Sequence, residues 1–126
     1  MKTVLVVDDD KNLRRLYKAE LEAEGYNTLL AENGWQATEL VSREAPDAVV
    51  LDIRMPEMDG LEAMARILGT NRKVPIILNT AYSCYQENFL AWAADGYLIK
   101  SADLEPLKNK LREILDPTEA VETVRA

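Results

Sequence analysis

In this chain Val4-Leu5-Val6-Val7 is followed by Asp8-Asp9-Asp10, Ala48-Val49-Val50-Leu51 by Asp52, Pro75-Ile76-Ile77-Leu78 by Asn79-Thr80, and Tyr97-Leu98-Ile99 by Lys100. If those run ends meet, carboxylates, a hydroxyl and an ammonium share one shallow pocket. Carboxylates brought together repel, and removing them from water raises the cost. A hard divalent cation offsets that cost, and oxygen-only ligands select magnesium, with manganese as the alternative, over zinc. Magnesium takes only a couple of carboxylates and keeps positions for water and phosphate oxygens. Beside such an ion Asp52 could act as a nucleophile toward phosphorus. Lys100 would offer a point charge to a phosphate oxygen, and Thr80 a hydroxyl donor.

Each residue alone has a plainer reading. A single aspartate after a strand ordinarily caps the next helix, which accounts for Asp10, Asp59 and Asp103. A lysine there is usually a solvated end, and a threonine a turn residue. Asp8 and Asp9 together exceed what one cap needs. The weight lies in the combination at separate run ends.

Positioning these residues requires the runs to be strands of one sheet. The four runs are short, continuous and largely β-branched, as suits a parallel sheet covered on both faces. A more polar strand is expected at Asn27 to Ala31, nearer an edge. Helical spacing links Leu13, Leu16, Tyr17 and Leu21, with Gly25 placed to stop that helix. Ala37, Leu40, Val41 and Ala45 form a second stripe, opened by Asn33 and Gln36 in a capping-box pattern. Leu61, Met64, Ala65 and Leu68 form a third, between Asp59 and Gly69. Tyr82 to Ala94 is expected to be the fourth helix. Leu107, Leu111, Ile114 and Leu115 mark the fifth, starting near Asp103 with Pro106 in its first turn. Strict alternation of strand and helix predicts a doubly wound α/β fold with right-handed crossovers. Sites in such sheets lie at the carboxyl ends of the strands, where these residues fall.

The 126 residues suit one domain, and 48% hydrophobic content is enough to bury a core. A net charge of −7 argues against nucleic acid as a direct partner of this domain, since phosphate binding wants a basic face. The chain has no histidine, which excludes histidine-based catalysis and histidine-ligated metal. Cys84 is the only cysteine, so there is no internal disulfide. No secretory leader and no apolar run of membrane-spanning length is evident, and the expected compartment is the cytoplasm. Trp35, Phe89, Trp92 and Cys84 read as packing residues.

Val4-Leu5-Val6-Val7-Asp8-Asp9-Asp10, Asp52-Ile53-Arg54-Met55-Pro56-Glu57-Met58-Asp59-Gly60, Asn79-Thr80-Ala81 and Gly96-Tyr97-Leu98-Ile99-Lys100 resemble the receiver domain of two-component response regulators, of the chemotaxis-regulator kind. The resemblance spans Lys2 to about Leu115, so residues 1–116 are expected to form the receiver and 117–126 a frayed tail or the start of a linker. It implies a flavodoxin-like, five-stranded parallel sheet in the order 2-1-3-4-5 with five helices on its two faces. It also implies that Asp52 is the phosphoacceptor, and that Asp8, Asp9, Asp52 and the backbone carbonyl of Arg54 hold magnesium. Lys100 then contacts the phosphoryl group, while Thr80 and Tyr97 move with it as the switch. The implied partners are a sensor histidine kinase or histidine phosphotransfer protein, and a downstream effector. The effector would dock where the fourth helix, fifth strand and fifth helix meet, with a phosphorylation-dependent homodimer as one outcome. The implied role is a signalling switch rather than a free-standing turnover enzyme. Arg54 and Tyr82, each two residues past Asp52 or Thr80, would flank the path of hydrolytic water.

One departure stands out. The family usually has proline after the lysine, often through a cis bond, but Ser101 follows Lys100 here. A cis bond before a non-proline residue costs about 2.5–4 kcal/mol, so a trans bond and an altered turn are expected. Two rivals remain. A magnesium-dependent phosphatase would use an aspartate after the first strand as nucleophile, and a receiver-like binding module would never be phosphorylated.

Overall fold

The computed structural model describes residues 1–81, 91 and 93–116. Its elements are β1 (Thr3–Val7), α1 (Lys11–Ala23), β2 (Asn27–Ala31), α2 (Gly34–Glu44), β3 (Ala48–Leu51), α3 (Gly60–Thr70), β4 (Ile76–Thr80), β5 (Gly96–Ile99) and α4 (Glu105–Leu115). All strands are parallel, in the order β2-β1-β3-β4-β5. The predicted order and the edge position of β2 are thus both found. Four of the five predicted helices are described; the one expected over Tyr82 to Ala94 lies mainly outside the described residues.

Alternation along the buried strands builds two cores. Leu5, Val7, Val49, Leu51, Ile76 and Leu78 face one way, against Ala37 and Val41 of α2 and Ala63, Met64 and Ile67 of α3. Val4, Val6, Ala48, Val50 and Ile77 face the other, against Tyr17 and Leu21 of α1 and Leu107 and Leu111 of α4. Both faces being covered explains why these strands read as unbroken apolar runs. Among the described residues no helix is long and apolar enough to cross a membrane.

Helix ends follow local chemistry, with informative exceptions. Asp10 caps α1 by accepting from the amides of Asn12 and Leu13, and Gly25 (φ 96°) follows the C-cap Glu24. Asn33 accepts from the Gln36 amide at 2.9 Å, but the Gln36 side chain reaches back to the amide of Glu32 rather than Asn33. The expected box is therefore displaced by one residue. Gly69 does not end α3, which runs on to Thr70 and is capped by Asn71. The last helix starts at Glu105, and its N-cap is Leu104 rather than Asp103, although the Asp103 carboxylate still accepts from the Glu105 amide at 3.0 Å.

Ala45 leaves the stripe assigned to it. α2 stops at Glu44 because Pro46 disfavours a right-handed helical residue before it. Ala45 instead takes the left-handed conformation (φ 45°, ψ 62°), which suits glycine. Ala45→Gly is expected to stabilise the domain by up to about 1 kcal/mol, after allowing for glycine's extra freedom in the unfolded chain. Urea unfolding measures it, and an unchanged or lower midpoint would refute the strain.

Candidate functional site

The carboxyl ends of β1, β3, β4 and β5 lie side by side. Pairing β1 with β3 puts Val7 opposite Leu51, so the next residues, Asp8 and Asp52, leave the sheet together. The backbone continues the ladder a little further, with Asp8 N–H donating to Ala31 O at 3.1 Å and Asp52 N–H to Val7 O at 3.0 Å. Carboxylate oxygens of Asp8, Asp9 and Asp52 lie within 4.8 Å of one another. Asp8 and Asp52 are buried, at 2% and 6% exposure, while Asp9 faces solvent.

Lys100 closes the group from β5. Its Nζ lies 2.7 Å from Asp8 Oδ2 and 3.0 Å from Asp52 Oδ2. Burial pushes the Asp52 carboxyl above its ordinary range; Lys100 pulls it down and Asp8 pushes it further up. Burial alone would lower the Lys100 ammonium, but its hydrogen bonds to Asp8 and Asp52 outweigh that and hold it above its usual value. Asp8 Oδ1 is also engaged, accepting from the Asp10 amide at 2.9 Å.

Thr80 is fully buried as the last residue of β4, not just beyond the strand as the run pattern suggested. Its carbonyl accepts from the Lys100 amide at 2.8 Å, tying two site residues through the backbone. Tyr97 pairs with Leu78 and lies half-buried against the core shared with α2 and α3. Arg54 is exposed in the loop after Asp52, and Tyr82 lies outside the described residues.

That loop is held at both ends. Gly60 N–H donates to Ile53 O at 2.6 Å, and the Asp59 carboxylate accepts from the Glu62 amide at 2.9 Å to cap α3. Buried Met58 anchors its middle, while Met58 N–H donates to Pro56 O across Glu57, whose φ is 71°. A non-glycine residue in this left-handed region marks a loop held in one shape by its surroundings. After Lys100 the backbone contains no cis bond among the described residues, as expected for Ser101. The Ser101 hydroxyl organises the turn instead, accepting from the Asp103 amide at 3.0 Å.

Arg14 and Tyr17 also belong to the surroundings, which the run ends alone did not indicate. Asn79 Nδ2 donates to the buried Tyr17 hydroxyl at 3.0 Å, joining α1 to the end of β4. Burial pushes the Tyr17 hydroxyl above its ordinary value. Arg14 Nη1 donates to the Asp8 carbonyl at 2.7 Å. Helical spacing offered a signal for Arg14, three residues before Tyr17 and so on the same flank of α1.

The donor set fits a hard cation: three carboxylates from two strand ends, no sulfur or imidazole, and room for solvent at Asp9.

Residues 4–112 match the response regulator receiver domain family. Response regulator MprA of Mycobacterium leprae (strain TN) is 39% identical over 126 residues, covering 96% of this chain and 55% of that protein. The chain thus spans about half the length of the curated relatives it matches. Among solved structures, the response regulator TrrA of Thermotoga maritima in complex with Mg2+-BeF aligns with a TM-score of 0.88 and 44% identity, covering 90% of this chain and 99% of that one. A complex of the histidine kinase ThkA with TrrA gives 0.86 and 44% identity, covering 92% and 100%. The fold, the acidic cluster and these likenesses agree: the chain belongs to the response regulator receiver domain family of two-component signalling.

Proposed function

We propose that Asp52 is the phosphoacceptor of this receiver, taking a phosphoryl group from a histidine kinase or histidine phosphotransfer protein. The observation that carries the reading is buried Asp52 beside Asp8 and Asp9, with Lys100 bridging to it. Asp8, Asp9, Asp52 and the Arg54 carbonyl would hold magnesium, which supplies charge neutralisation for an incoming phosphate. Asp52 attacks phosphorus, so that a P–O bond forms as the P–N bond to the donor imidazole breaks. Lys100 exchanges a carboxylate for a phosphoryl oxygen, and the Thr80 hydroxyl donates to another. Tyr97 follows Thr80 and biases the surface made by β5 and α4 toward its effector-binding or dimeric form. The likeness to TrrA, solved with Mg2+-BeF and with a kinase, supports both the cation and the donor. The receiver unit is taken as residues 1–116, with 117–126 as tail or linker.

The phosphatase alternative would place the nucleophile after β1, at Asp8, rather than after β3. The test is intact-mass analysis after incubation with acetyl phosphate and magnesium. One added phosphoryl group is expected on the wild type and none on Asp52→Asn. Persistence of the added mass in Asp52→Asn would overturn the assignment.

A further inference from the structure

Arg14 has no role in the mechanism above, yet it is tied to the site by its strongest contact. β1 ends at Val7, so the Asp8 carbonyl has passed beyond the regular ladder. Arg14 reaches back across the first turns of α1, and its Nη1 donates to that carbonyl at 2.7 Å. Its side chain is only 14% exposed, and Nη2 lies 3.8 Å from Glu32 Oε2 at the end of β2. Glu32 is itself held by Gln36, whose Oε1 accepts from the Glu32 amide at 2.9 Å and whose Nε2 lies 3.3 Å from Glu32 Oε1. A chain of contacts, exposed at its Glu32 and Gln36 end, therefore runs from α2 through Glu32 and Arg14 to the peptide joining Asp8 to Asp9. The two carboxylates on either side of that peptide belong to the acidic cluster.

We infer that Arg14 is a positioning residue for the cation site, fixing the Asp8–Asp9 peptide so that both carboxylates face Asp52. The inference rests on the magnesium reading above. Its physical signature is a sign. Arg14 is a cation next to a site for a cation, so by charge alone its removal should tighten magnesium binding. If its main work is orientation, removal should loosen binding, because groups that orient metal ligands typically cost 10–100-fold in affinity when lost.

The experiment is calorimetric titration of magnesium chloride into the wild-type chain, Arg14→Gln and Arg14→Lys, with thermal melts in EDTA to establish that each is folded. Arg14→Gln is expected to raise the magnesium dissociation constant by about 10-fold or more. Arg14→Lys, which keeps the charge and a donor, should recover part of that loss. Unchanged or tighter binding in folded Arg14→Gln overturns the inference while leaving the magnesium site intact. Absence of binding by the wild type removes both.

Discussion

Lys100→Met is expected to lower the stability of the domain in EDTA by about 3–5 kcal/mol, the usual cost of deleting one partner of a buried ion pair. Side-chain exposures of 2% for Asp8, 7% for Asp52 and 16% for Lys100 leave little solvent to screen what remains. Methionine keeps most of the stem's packing but not the ammonium. Two carboxylates would then face each other without a counter-charge. Magnesium should return more stability to the variant than to the wild type, since no internal ammonium competes for the same oxygens. Melts with and without magnesium measure this. Equal magnesium effects in the two proteins would contradict it.

The buried pair also makes stability depend on pH. The Asp52 carboxyl lies above its ordinary range because of burial. A group that holds its proton more tightly when folded adds stability as pH falls through its folded pKa toward its unfolded value of about 3.9. Lys100 opposes that rise, so its loss pushes Asp52 higher still. Without metal, Lys100→Met should therefore recover stability relative to the wild type as pH is lowered from neutral. The wild-type ammonium contributes in the other direction: its stabilisation is complete below the unfolded lysine value of about 10.4 and is lost as pH rises through its raised folded pKa.

Gly60→Ala should be nearly as damaging, for a steric reason. A Cβ at Gly60 would collide with the Asp52 carbonyl oxygen and lie 2.7 Å from Ile53 Cα and 2.8 Å from Asp52 C. All three are backbone atoms and cannot swing aside. The start of α3 must retreat, and the bond from Gly60 N–H to Ile53 O at 2.6 Å goes with it. The expected loss is about 3 kcal/mol, at the upper end for overpacking. Phosphoryl uptake from acetyl phosphate should fall even under conditions where the variant is folded, because the moved backbone carries Asp52. Gly69→Ala is the control: nothing lies within 4 Å of its Cβ, and it sits inside α3. It should be neutral or stabilising by up to about 1 kcal/mol. Similar losses in both variants would mean that close approach is not the cause.

How much of this was legible beforehand depended on range. The unbroken runs at Val4–Val7 and Ala48–Leu51 announced a sheet buried on both sides, and the two cores are the reason. Asp8, Asp52 and Lys100 could be grouped because parallel strands place all their carboxyl ends on one edge. Ala45 was misread because periodicity was followed past the point where Pro46 ends it. Gly69 was misread as a stop because nothing local shows that its surroundings accept a helix. Arg14 and Tyr17 were missed as site neighbours because their partners, the Asp8 carbonyl and the Asn79 amide, become neighbours only when α1 packs on the sheet.

The sheet order carries a consequence for the growing chain. β1 is flanked by β2 and β3, and every carboxylate of the cluster comes from the first 52 residues. The ammonium that ties two of them stands at position 100, on the last strand. During translation all three acids are therefore made well before β5 leaves the ribosome. Until then only water and dissolved cations can screen these acids, because their internal counter-charge has not yet been made.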